Sequence, residues 1–63
     1  MTVKEMFDAV CDYFDGDIHK TNLWFNVVNP NLGNVTPREM IALGRADKLS
    51  KFISESLDDN RLA

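Results

Sequence analysis

Pro30 and Pro37 divide this chain. Proline lacks a backbone N–H and its ring collides with the preceding turn of a helix, so neither can sit in a helix interior. Each also disfavours helical conformation in the residue before it, here Asn29 and Thr36. The segment from Trp24 to Met40 must therefore hold a helix end, a turn and a helix start. Asn29, Pro30 and Asn31 suit a turn, and Leu32 is an apolar anchor expected beneath it. Gly33-Asn34 supplies two residues that tolerate positive φ. No alternating strands flank that pair, so a hairpin is not expected. Thr36-Pro37-Arg38-Glu39 then gives an N-cap threonine, proline at the first helical position and glutamate completing a capping box. Val35 and Met40 have the spacing of a hydrophobic staple. Gly44 ends the short helix that carries Met40, Ile41 and Leu43.

Before this interruption, Val3, Met6, Phe7, Val10, Cys11 and Phe14 fall on one helical stripe. Thr2 and Glu5 have capping-box spacing at its start. Gly16 is expected to end this helix and Asp17 to cap the next. Asp15-Gly16-Asp17 opens like a calcium loop, but the remaining ligands and the closing glutamate are absent, so it reads as a turn. Asp8, Asp12 and Asp15 are expected on the opposite, solvated face; an acidic docking edge for a basic partner is the alternative. In the second helix Ile18, Leu23, Trp24, Val27 and Val28 are expected on one broad apolar face with Phe25 beside it. Lys20, Asn22 and Asn26 take its polar side, and the two valines weaken its last turn. In the last helix Leu49, Phe52, Ile53 and Leu57 form the apolar stripe, and Asp47 with Lys51 an i, i+4 pair.

The expected fold is all-α: a small single-domain bundle of about four short helices near 3–14, 18–28, 37–43 and 46–57. The whole chain, 1–63, is one domain, in which 1–17 form the N-terminal helix and turn, 18–57 a helical module and 58–63 a tail. The expected core is Met6, Phe7, Val10, Phe14, Ile18, Trp24, Val27, Val28, Leu32, Met40, Ile41, Leu49, Phe52 and Ile53.

A chain of 63 residues makes one marginal domain, because a domain this small buries only about 60% of its unfolded surface. Good packing or a partner protein must supply the rest. Cys11 is the only cysteine and His19 the only histidine, which excludes an internal disulfide and every familiar zinc spacing. Cys11 lies on the apolar stripe, and Glu39 is occupied as a cap. Without a nucleophile–base set or a glycine-rich phosphate loop, neither an enzyme nor a cofactor is expected. The net charge of −3 is concentrated near the N-terminus, where Lys4 stands against Glu5, Asp8, Asp12, Asp15 and Asp17. An acidic chain without a basic stripe is a poor nucleic-acid ligand. No apolar run reaches the ~20 residues of a membrane span, and the start lacks the pattern of a signal peptide. Together with the single thiol, these features give a cytoplasmic expectation.

Trp24, Asn29, Pro30, Asn31, Leu32, Gly33, Thr36, Pro37, Glu39, Met40, Ile41 and Gly44 together resemble the toxin-binding domain of Xre/MbcA/ParS-type antitoxins. The resemblance covers residues ~20–57. It implies a small helical module that binds and neutralises a RES-type, NAD-consuming toxin, with the C-terminal end approaching the toxin active site. Members usually carry an N-terminal helix-turn-helix domain, and with 17 residues before the module this chain is expected to stand alone without one. Asn34 also stands where a second glycine is common, and asparagine is the side chain that best tolerates the left-handed conformation.

Trp24, Pro30, Leu32, Gly33, Thr36, Pro37, Glu39 and Gly44 mark the motif, chiefly through architectural roles in caps and turns. Partner contacts are expected from side chains without such duties: Asn26, Asn31, Arg38 and Arg45, with Arg61 and Leu62 in the tail. Three readings follow. The chain is a protein inhibitor of a RES-type toxin, a phage or mobile-element inhibitor of another host defence enzyme, or a self-associating assembly module, most simply a homodimer.

Overall fold

The structure, a computed structural model, describes residues 1–58. Helix α1 spans Val3–Tyr13. Its start is fixed by both halves of the expected box. The Glu5 N–H donates to Thr2 Oγ1 at 3.1 Å, and the Thr2 N–H donates to the Glu5 carboxylate at 2.7 Å. The Thr2 backbone N–H, and after it the Thr2 side chain, hold the Glu5 carboxyl below its ordinary 4.5. The helix closes in a Schellman arrangement. The Gly16 N–H donates to the Cys11 carbonyl at 2.8 Å and the Asp15 N–H to the Asp12 carbonyl at 3.1 Å. Asp15, at φ 57°, is therefore the first left-handed residue, one position ahead of Gly16 at φ 83°. Asp15 consequently leaves the helical face it was expected to share with Asp8 and Asp12.

Helix α2 spans Ile18–Asn26, with Asp17 Oδ1 accepting the Lys20 N–H at 3.0 Å. It stops before the two valines, because Val27 is already extended (φ −104°, ψ 139°). β-branched residues resist the helix, and the loop beyond requires an extended entry. Asn29 closes that loop by itself. Its N–H donates to the Val35 carbonyl at 3.0 Å. Its own carbonyl accepts from the N–H groups of Leu32 at 3.0 Å and Asn34 at 3.2 Å. Its side chain accepts the Asn31 N–H at 3.0 Å. Inside lies one 3-10 turn, Pro30–Leu32, followed by Gly33 at φ 85° and Asn34 at φ 62°.

Helix α3 spans Pro37–Ala42 behind the second capping box, with both Thr36–Glu39 hydrogen bonds at 3.0 Å. Its end repeats the Schellman pattern: the Arg45 N–H reaches the Met40 carbonyl at 2.8 Å around Gly44. Helix α4 spans Ala46–Ile53 and continues into a π-helical turn, Ser54–Asp58. Leu49, Ile53 and Leu57 recur every fourth residue, a row that overshoots by about 40° per step in an α-helix. The wider π turn advances each residue by less, which brings Leu57 back over the core.

That core joins Met6, Ala9 and Val10 of α1 to Phe25 of α2, Met40 of α3, and Leu49, Ile53 and Leu57. Thr21 and Pro37 are fully buried with them. Phe7, Phe14, Trp24, Leu32, Val35, Ile41 and Phe52 pack around it, half-buried, so Leu32 is the anchor its position in the turn suggested. Three expected core members are not in it: Ile18, Val27 and Val28 are exposed. The inward face of α2 is defined by Thr21 and Phe25, and Leu23 lies about 200° round the helix from Thr21. The expected Asp47–Lys51 pair does not close; among the described residues Lys4–Asp8 on α1 does, at 3.8 Å and largely exposed.

Candidate binding surface

Because Thr21 and Phe25 turn inward, α2 presents an apolar face to solvent. Ile18 and Leu23 are 50 and 63% exposed, and Val27 and Val28, in the extended segment just after the helix, 49 and 53%. Leu23, Trp24 and Val27 meet Phe14, at the end of α1, around a shallow hollow of about 440 Å³ with Lys20 at its edge. Aromatic contacts stiffen its walls. Trp24 stands edge-on to Phe25 (centroids 5.0 Å apart), and Tyr13 edge-on to Phe14 at 5.2 Å.

A second groove, of about 330 Å³, lies where α1, α2 and α3 converge. The rings of Phe7 and Phe25, 5.8 Å apart and 16° from parallel, are stacked at its base. Val3, Ile41 and Ala42 complete the apolar lining, with Asn22 and Arg38 as its polar groups. Although the chain has ten acidic residues, among the described residues no carboxylate lines either hollow. The charged groups at their edges are Lys20 and Arg38.

Of the side chains expected to contact a partner, Arg38 lies on a hollow; Asn26, Asn31 and Arg45 line neither. Asn26 is exposed and its Nδ2 donates to the Asn22 carbonyl at 2.7 Å. Asn31 is exposed on the 3-10 turn, and Arg45 is exposed at the start of α4. Arg61 and Leu62 lie outside the described residues. The motif residues have the architectural roles expected of them: Thr36 and Glu39 cap α3, Gly33 and Gly44 take positive φ, and Pro30 and Pro37 open a turn and a helix. Trp24 does both jobs, packing on the core and walling the α2 hollow.

Ile18, Val27 and Val28 are the surface residues that the sequence pattern assigned to the core, and Leu23, expected on the same apolar face, is exposed as well. The signal that separates the faces is Thr21 with Phe25, an i, i+4 pair whose polar member disguises an inward position. His19 is exposed on the first turn of α2, and Cys11 is half-buried on α1. Among the described residues no three His, Cys, Asp or Glu side chains are grouped to hold a metal ion, and no helix is long and apolar enough to cross a membrane. Comparison of the chain with protein families, with curated proteins and with solved structures finds no match.

Proposed function

We propose that this chain is a protein-binding inhibitor module that acts in the cytoplasm by docking on a partner enzyme. The observation that carries the reading is the outward face of α2. A 63-residue domain has little apolar surface to spare, yet this one leaves Leu23 and, just beyond the helix, Val27 in water beside a half-buried tryptophan. A contiguous apolar patch framed by aromatic residues is characteristic of interaction sites. Following the resemblance to Xre/MbcA/ParS-type antitoxin domains, the first partner to test is a RES-type, NAD-consuming toxin; another host defence enzyme is the alternative target.

The test mixes the purified chain with a RES-type enzyme and follows NAD consumption, comparing the wild type with a Leu23→Asp/Val27→Asp variant. Inhibition by the wild type that the double variant loses supports both the function and the face. Undiminished NAD consumption removes the toxin target, and full inhibition by the variant removes the α2 face. The same exposed residues favour a second reading, self-association into a symmetric dimer. Light scattering over a range of concentrations distinguishes the two, because a constant dimer mass that falls to monomer in the double variant assigns the face to a second copy.

A further inference from the structure

The groove between α1, α2 and α3 holds a combination that the α2 face lacks: a stacked aromatic base, walls from three helices, and an arginine as its only charged lining residue. We infer that it receives a segment of the partner protein in which an apolar side chain adjoins a carboxylate. The apolar group lies on Phe7, Phe25 and Ile41, and the carboxylate on the Arg38 guanidinium. This rests on reading the chain as a protein-binding module and states the chemistry of what it binds.

Charge selects the occupant. With ten Asp and Glu against seven Lys and Arg, the chain is acidic on balance, and the excess is concentrated near the N-terminus. The groove departs from that balance: among the described residues Arg38 lines it and no carboxylate does. Arg38 is also uncommitted. Its neighbour Glu39 accepts the Thr36 N–H at 3.0 Å, and among the described residues the ion pair within 4.0 Å is Lys4–Asp8, elsewhere on α1. A guanidinium presents a planar fork that matches a carboxylate with two parallel hydrogen bonds. Beside an apolar wall those bonds compete less with water. The Asn22 amide is a further donor on the same groove. At about 330 Å³ the space is at the small end of ligand sites, which begin at about 300 Å³, and suits a side chain with its neighbour rather than a whole helix.

The test is an amide-resolved NMR titration with two acetylated, amidated tetrapeptides, Gly-Phe-Glu-Gly and its neutral counterpart Gly-Phe-Gln-Gly. Saturable shifts at Phe7, Phe25 and Ile41 are expected, with the glutamate peptide binding about tenfold more tightly, the value of one charge-assisted hydrogen bond at a partly exposed site. Arg38→Gln abolishes the difference between the peptides. Ala42→Phe, which fills the mouth without changing charge, weakens both. Equal affinity for the two peptides, a preference that survives Arg38→Gln, or no groove shifts at about 10 mM peptide, where even millimolar affinity is visible, overturns the inference. Shifts confined to Leu23 and Val27 overturn the groove while leaving the α2 face as the docking site. Normal groove binding by a Leu23→Asp/Val27→Asp variant that has lost its partner supports the groove; partner inhibition that the variant keeps removes the α2 face alone.

Discussion

Replacing Thr21 by valine and by serine separates two contributions at one fully buried position. The side chain is 0% exposed, and its hydroxyl donates to the Asp17 carbonyl at 2.8 Å. That carbonyl also accepts the Thr21 N–H at 3.1 Å, so removing the hydroxyl does not orphan it. Valine keeps the branched shape and puts a methyl group in place of the hydroxyl. The lost hydrogen bond costs about 1 kcal/mol net, and burying the added methyl returns about 0.8 kcal/mol. The valine variant should therefore lie within about 0.5 kcal/mol of wild type, since the two residues have similar helix propensities. Serine keeps the hydrogen bond but deletes a buried methyl, at about 0.8 kcal/mol for transfer and a further few tenths for the cavity. For a domain near this size 1 kcal/mol moves Tm by about 4–8 °C. Thermal and urea unfolding followed by circular dichroism should show serine lowering Tm by about 4–10 °C and valine by less than about 4 °C. A valine variant destabilised by more than about 2 kcal/mol would refute the reasoning, because the hydroxyl would then carry far more than one exchangeable bond. A silent serine variant would refute the packing half.

Other perturbations test the remaining supports of the fold. Leu49 is fully buried at the centre of the core, so Leu49→Ala should cost about 2–5 kcal/mol. That is comparable with the about 3–9 kcal/mol available to a chain of this length, and urea titration should find the variant largely unfolded at 37 °C. Gly33 has φ +85° with nothing within 4 Å of an added Cβ, so Gly33→Ala should cost only backbone strain, about 1–2 kcal/mol; a larger loss means that the loop has a contact its geometry does not reveal. The Glu5 carboxyl is held below its ordinary 4.5 by the Thr2 hydrogen bonds. Its contribution is thus present above that value and lost as pH falls through the lower folded-state value. Glu5→Gln, which keeps a capping side chain, should flatten the acid limb of stability measured from about pH 5 downwards. An acid limb identical to wild type refutes that assignment.

The parts of this fold legible from sequence are those fixed by bonds between near neighbours. Thr2 with Glu5, Asp17 with Lys20, and Thr36 with Glu39 all act across one helical turn, so residue type and spacing suffice. Left-handed Asp15 escaped because Gly16 beside it is the stronger candidate on intrinsic preference, and the return of the Gly16 N–H to Cys11 decides the matter. The inward face of α2 was not legible for a different reason. Residues 18–28 carry apolar side chains around most of the helix, and only contact with α1 and α3 selects Phe25 over Leu23. Arg38 could be singled out as a side chain without a structural role. Its setting could not, because Val3, Phe7, Asn22 and Phe25 reach it through tertiary packing.

Helix α2 reverses the usual order of a surface helix: a threonine is sealed inside while isoleucine and leucine face water, as does Val27 just beyond its end. Burial of Leu23 and Val27 alone would favour turning the helix over, since each large aliphatic side chain gains about 1.5–3 kcal/mol on full burial. The observed setting is held by groups that cannot turn with it. Phe25 is stacked on Phe7 of α1. Beyond the last turn, Asn29 is tied to Val35 across the loop. Flipping α2 would break the aromatic stack and bury polar side chains from its far side, offsetting the gain from Leu23 and Val27. The exposed face is therefore a stable feature of the folded domain rather than a frayed one, and under the proposed function a partner would meet it already formed. Preformed docking avoids the ordering cost that a disordered segment bears on binding. So small a domain can thus leave apolar surface in water and still keep a core of its own.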